Sequence, residues 1–177
     1  MTALAEAVDR LRRHGTPFAL VGAAALAVHG VPRSTRDLDL LTIDVRCLDT
    51  EYWRSIGAGA IDVTIRRGDA ADPLAGVTRL RPTDGAPVDV VVGRSAWQRG
   101  VLDRAQPATV DDIVLPVAQA ADLVLLKLFA GGPQDLWDVA QLLHGDEAGT
   151  IAAEVESRLP ALGAECARLW SQVCRWR

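Results

Sequence analysis

Glycine and proline cut this chain into short apolar segments, and the period of those segments changes along its length. Before residue 94 most of them alternate or run as brief apolar blocks, the pattern of strands. After it they mostly repeat at helical spacing. Strands first and helices later is the order of an α+β protein. Residues 3–14 predict an amphipathic helix with Leu4, Ala7, Val8 and Leu11 on one stripe, stopped by His14-Gly15 and Pro17. Residues 18–21 predict a buried strand, 23–29 an alanine-rich helix, 31–36 a loop and 37–43 a second strand. A short helix is expected over 48–56 and a strand over 61–65. Two further strands, 77–81 and 87–92, are joined by a turn at Thr83-Asp84-Gly85. A helix over 95–104 precedes an extended segment over 109–117. Helices then follow over 118–129, 134–144, 147–158 and 162–176, with Gly131-Gly132-Pro133 and Pro160 as breaks.

At 177 residues the chain has room for one domain, or a domain with a helical appendage. Hydrophobic residues make up 49% and charged residues 24%, so general disorder is excluded. A net charge of −4 argues against a protein that coats duplex nucleic acid. Lys127 is the single lysine. Glu6 and Asp9 precede any apolar run, which does not suit a signal peptide, and no apolar stretch reaches bilayer length. Cys47, Cys166 and Cys174 cannot all pair and form no CxxC, so a reduced, cytoplasmic setting is expected, and zinc is not.

Four features carry chemistry. Asp37 and Asp39 alternate along a strand, so both carboxylates share one face and Leu38 and Leu40 the other. Like charges this close oppose each other's ionisation, and a hard divalent cation such as Mg²⁺ resolves the repulsion. Gly22-Ala23 stands at a strand-to-helix junction, where free N–H groups and a missing Cβ let a phosphate approach. Asp89 interrupts a valine strand, where uncompensated burial is costly; it suits a third metal ligand and a base for an acceptor hydroxyl. Lys127 sits in an apolar helix, in reach of a phosphate or of Asp122 or Asp135, and Asp135 and Asp138 share a helix face. Taken singly, each has an ordinary structural explanation: solvated aspartates, a packing glycine, a snorkelling lysine, a helix N-terminal acid.

In combination these residues resemble the nucleotidyltransferase superfamily of the polymerase-β type. Its pattern is a glycine followed by Gly or Ser, then Asp-x-Asp, then a third Asp on a later strand. Here thirteen residues separate Ala23 from Asp37. Arg33-Ser34-Thr35-Arg36 before the pair, and the run from Lys127 to Asp135 and Asp138, resemble the AbiEii-like branch, which includes toxins of toxin–antitoxin systems. The resemblance spans residues 18 to about 143 and implies a small mixed sheet with packed helices (1–117) carrying a C-terminal helical bundle (118–177). It implies Mg²⁺-dependent transfer of a nucleoside monophosphate from an NTP to an acceptor hydroxyl. Asp37, Asp39 and Asp89 would be catalytic and hold one or two Mg²⁺ ions. Gly22, Ala23, Arg33, Thr35, Lys127, Asp135 and Asp138 would contact nucleotide or phosphate. The acceptor is open among a tRNA end, a protein hydroxyl and a small molecule; a cognate toxin or antitoxin protein is a candidate partner, and a membrane is not.

Ala23 departs from the pattern, since it brings no hydroxyl to a phosphate. That motivates the alternative of a catalytically silent module that binds a partner protein. A weaker third reading makes Trp170, Val173 and Trp176 an interaction stripe, although such stripes are more often core.

Overall fold

The computed structural model describes residues 2–34 and 37–176. Among these, seven strands form one mixed sheet: β1 (Phe18–Val21), β2 (Leu38–Thr42), β3 (Ile61–Arg67), β4 (Leu74–Pro82), β5 (Val88–Gly93), β6 (Gln106–Val110) and β7 (Ile113–Val117). Their order across the sheet is β3-β4-β5-β2-β1-β7-β6. β2 runs parallel to β5 and β1 parallel to β7, while the remaining neighbours are antiparallel. The helices are α1 (Ala3–Arg13), α2 (Gly22–Val28), α3 (Ala96–Arg104), α4 (Ala120–Ala130), α5 (Pro133–Leu142), α6 (Ala148–Arg158) and α7 (Ala164–Cys174).

Alternation fixes the two faces of the sheet. Leu40, Leu80, Val88, Val90 and Val92 are fully buried on one face. The apolar stripe of α1, as expected, is buried with them in one continuous core that also takes in residues of α4 to α7. The other face carries Asp39, Arg79, Arg81 and Asp89 and is only partly covered.

Two expectations needed revision. Residues 45–59 form three short 3-10 turns instead of one helix over 48–56. They are held by side chain-to-backbone bonds, for example from Trp53 Nε1 (2.8 Å) and Thr78 Oγ1 (2.6 Å) to the Cys47 carbonyl. The segment over 109–117, expected as one extended run, holds the end of β6, a turn and all of β7, and forms a hairpin with the rest of β6. Asp111 and Asp112 both take positive φ at its two-residue turn, the geometry that matches strand twist. Aspartate tolerates that conformation better than most residues. Trp170 and Val173 are buried, so most of the proposed C-terminal stripe is core; only Trp176 is exposed.

Candidate active site

Sheet register gathers the acidic residues. Asp39 pairs directly with Asp89 across the parallel β2–β5 ladder, and Asp89 pairs with Arg79 across β4–β5. Directly paired residues share a face, so Arg79, Asp89 and Asp39 form a row. Asp37, two residues before Asp39, lies on the same side at the mouth of β2. Leu38 and Leu40 are buried on the opposite face, as the alternation requires.

Arg79 grips the row. Its Nε donates to Asp89 Oδ1 at 2.8 Å and its Nη2 to Asp89 Oδ2 at 2.9 Å, a bidentate pair. The same guanidinium lies 3.7 Å from Asp37 Oδ2. Among the described residues no guanidinium grips Asp39 in this way, and its carboxyl is pushed up to about 6. Burial is the main cause, followed by the charges of Asp89 and Asp37; Lys127 and Arg79 pull in the other direction.

Gly22 lies against Asp39. It has φ +65, and a Cβ there would sit 2.0 Å from Asp39 Oδ2. The glycine therefore makes room first for a carboxylate of the row. Ala23 follows it on the first turn of α2.

Lys127 extends from α4 and donates to Asp135 Oδ1 at 2.7 Å, with Asp138 Oδ2 at 2.9 Å. It does not pair with Asp122. Burial works to lower its pKa, but the two carboxylates outweigh that and the net direction is up. Asp135 also accepts from the Gly132 N–H at 3.2 Å, closing the first turn of α5. Asp138 is almost fully buried and meets Arg33 at 3.4 Å. Arg33 also lies over the Trp137 ring, 5.1 Å from its centre. Arg33, which the resemblance would set against nucleotide or phosphate, stands at α5 in this structure. Thr35 and Arg36 lie outside the described residues.

Arg66, Arg67, Arg79 and Arg81 line an open groove of about 630 Å³ that reaches Asp89. Arg94 does not line this groove and donates to the Asp69 carbonyl. The role of Arg79 was not legible beforehand. Arginine on an alternating strand is ordinary, and only the register brings this one to Asp89.

No protein-family model matches the chain, and no curated protein does. Solved structures are similar. A protein described as an antigenic nucleotidyltransferase-like protein, from Paracoccidioides brasiliensis, matches over 98% of this chain and 87% of its own, at 17% identity and TM-score 0.50. A protein described as a nucleotidyltransferase, from Thermotoga maritima, matches over 79% of this chain and 89% of its own, at 16% identity and TM-score 0.52. The chain has a nucleotidyltransferase-like fold.

The nucleotidyltransferase-like fold implies a divalent metal, and the residues can be tested against one. Among the described residues, no three acidic, imidazole or thiol side chains stand ready around one point. At Asp89, Arg79 occupies both oxygens of the carboxylate. Asp37 and Asp39 offer hard oxygens on one side of the sheet, and the Asp39 carboxyl, raised first by burial and then by the charges of Asp89 and Asp37, is one whose ionised form a cation would favour. That pair fits Mg²⁺, and Asp89 fits as a third ligand once released from Arg79. No helix among the described residues is long and apolar enough to cross a membrane.

Proposed function

We propose that the chain transfers a nucleoside monophosphate from an NTP to an acceptor hydroxyl. The observation that carries this reading is the register of Asp39 on Asp89, with Asp37 beside them and Gly22 giving way to Asp39, on a nucleotidyltransferase-like fold. In the proposed reaction the acceptor oxygen bonds to the α-phosphorus, the bond to the bridging oxygen breaks, and pyrophosphate leaves. Asp37 and Asp39 would hold Mg²⁺, which when bound neutralises charge on the triphosphate. Asp89, freed from Arg79, would take the proton of the acceptor hydroxyl. Arg79 would then be available to the departing pyrophosphate as a delocalised cation. Lys127, fixed by Asp135 and Asp138, holds a positive charge close enough to favour ionised Asp39. Positioning and charge neutralisation supply most of the catalysis in such transfers.

The groove of four arginines beside Asp89 favours an acceptor that carries negative charge. The Arg33-x-Thr35 spacing and the Lys127 to Asp138 run support the AbiEii-like branch, and with it a toxin–antitoxin partner.

The test is a thermal-shift panel of ATP, GTP, CTP and UTP with and without Mg²⁺, run beside Asp37→Asn, together with pyrophosphate release. A Mg²⁺-dependent shift for one nucleotide, lost in the variant, is expected. A flat panel would overturn the reading. It would favour the silent partner-binding module, for which Ala23 and the closed Arg79–Asp89 pair are the specific observations.

A further inference from the structure

Beyond Asp89 the open face of the sheet continues over β4 and β3. Thr64, Arg79 and Asp89 stand side by side in register, with Arg81 in the row before them and Arg66 in the row after. Successive rows on one face are about 7 Å apart, a spacing that lets three long side chains meet on one anion. Arg79 is held by Asp89. Arg66 and Arg81 are exposed and, among the described residues, make no hydrogen bond or ion pair. Arg67, on the opposite alternation, is tied to the Leu48 carbonyl. Asp72 lines the groove and Asp62 stands opposite Arg81 in register, yet neither makes an ion pair among the described residues. An acidic chain thus keeps two uncommitted guanidiniums beside a third that has one competing partner.

Sheet order decides which ligand this groove faces. Gly22, at the end of β1, lies on the far side of Asp39, while the groove lies on β4 and β3, past Asp89. The carboxylate row stands between the glycine junction and the arginines. We propose that the groove holds a phosphate carried by the acceptor, and that Arg79 exchanges Asp89 for this phosphate when the acceptor is seated. Planar guanidiniums match phosphate oxygens as well as they match a carboxylate, so the exchange replaces one bidentate pair with another. It breaks only an ion pair and leaves Asp89 with both oxygens open. The proposal rests on the nucleotidyl-transfer reading and adds its regulation: the base and third metal ligand is released by the acceptor itself. The exchange precedes the transfer, so Arg79 is already off Asp89 when pyrophosphate forms.

The test is calorimetry on the full chain in Mg²⁺-free buffer at fixed ionic strength. The probes are ribose 5-phosphate and a single-stranded RNA trinucleotide, which carry hydroxyl and phosphate on a small molecule and on a strand. The tighter of the two identifies the source of the phosphate. Arg66→Gln combined with Arg81→Gln is expected to weaken that probe about tenfold or more. Asp89→Asn, which frees Arg79, is expected to tighten it about fivefold. In an Arg79→Gln background the same Asp89→Asn change is expected to alter affinity by less than about twofold, because no exchange is left to relieve. Three outcomes overturn the proposal: neither probe binds wild type, the double arginine variant binds as well as wild type, or Asp89→Asn tightens binding equally with and without Arg79. The last would mean that Asp89 merely repels the anion. No NTP or metal enters this experiment, so its failure leaves the nucleotidyl-transfer reading to its own panel. If the groove binds its probe while that panel is flat, the nucleotidyl-transfer reading fails, and the acceptor role given to this phosphate fails with it.

Discussion

Two groups of aspartate in this molecule have opposite charge balances. At Asp122, on α4, one fully buried carboxylate meets two guanidiniums. Arg104 of α3 donates from Nε at 3.0 Å and from Nη2 at 2.7 Å, and Arg158 of α6 stands at 3.1 Å. At the sheet, Asp37, Asp39 and Asp89 share the guanidinium of Arg79, with Lys127 acting on Asp39 from farther away. The first group is compensated and ties three helices together. The second sets the half-covered Asp39 beside the charges of Asp89 and Asp37, and burial together with those charges resists its ionisation. Both are built from the same residue type. Charge balance separates a structural carboxylate from one suited to chemistry.

Substitution should therefore have opposite consequences at the two places. The largest effect is expected from Asp39→Asn, which should cut nucleotidyl transfer by about a hundredfold or more, the scale for removing a group that serves transition-state charge. Without Mg²⁺ its melting temperature should equal or exceed that of wild type. A clear drop in melting temperature would break the comparison. Asp122→Ala should do the reverse. It leaves Arg104 and Arg158, both partly exposed, without their buried anion and should lower stability by about 1–3 kcal/mol. Chemical denaturation would measure this, and NTP affinity of the folded fraction should be unchanged. A loss of NTP binding there would mean that the Asp122 group is no mere tie.

The pH dependence sharpens the contrast. The Asp39 carboxyl stands at about 6 in the folded chain against an ordinary 3.8. The folded state thus holds this proton more tightly than the unfolded one. The contribution to stability is full below the ordinary value and fades as pH rises through about 6. In Mg²⁺-free buffer the difference in melting temperature between wild type and Asp39→Asn should grow in favour of the variant from pH 4 to pH 6.5, on the order of the shift in pKa. A flat difference would contradict the raised Asp39 carboxyl. The smallest effect is expected from Arg79→Gln. Its guanidinium is partly exposed, so the change in stability should stay below about 1 kcal/mol. The rise in melting temperature on adding Mg²⁺ should nevertheless be larger than in wild type, because the competitor for Asp89 is gone. An unchanged Mg²⁺ response would show that Arg79 does not compete.

Much of the fold was legible because it is local. The stripe of α1, the alternation of β2 and β5 and the breaks at Gly131-Gly132-Pro133 each follow from neighbours within a few residues. The hairpin at Asp111-Asp112 was missed because its signal is a backbone conformation that aspartate merely tolerates. The turns over 45–59 were missed because they are held by distant partners, Thr78 among them.

The same division runs through the site. By itself the sequence determined which carboxylates exist and that Asp37 and Asp39 share a face, since strand alternation is a property of the chain alone. It also singled out Asp89 as a residue in need of a reason. Only the tertiary structure decided that Asp89 stands beside Asp39 and that Arg79 closes on it. It also decided that Gly22 yields its Cβ position to a carboxylate, and that Arg33 and Lys127 turn to α5. Those outcomes depend on strand order, register and the fit of side chains between elements far apart in sequence, and local spacing does not specify any of the three.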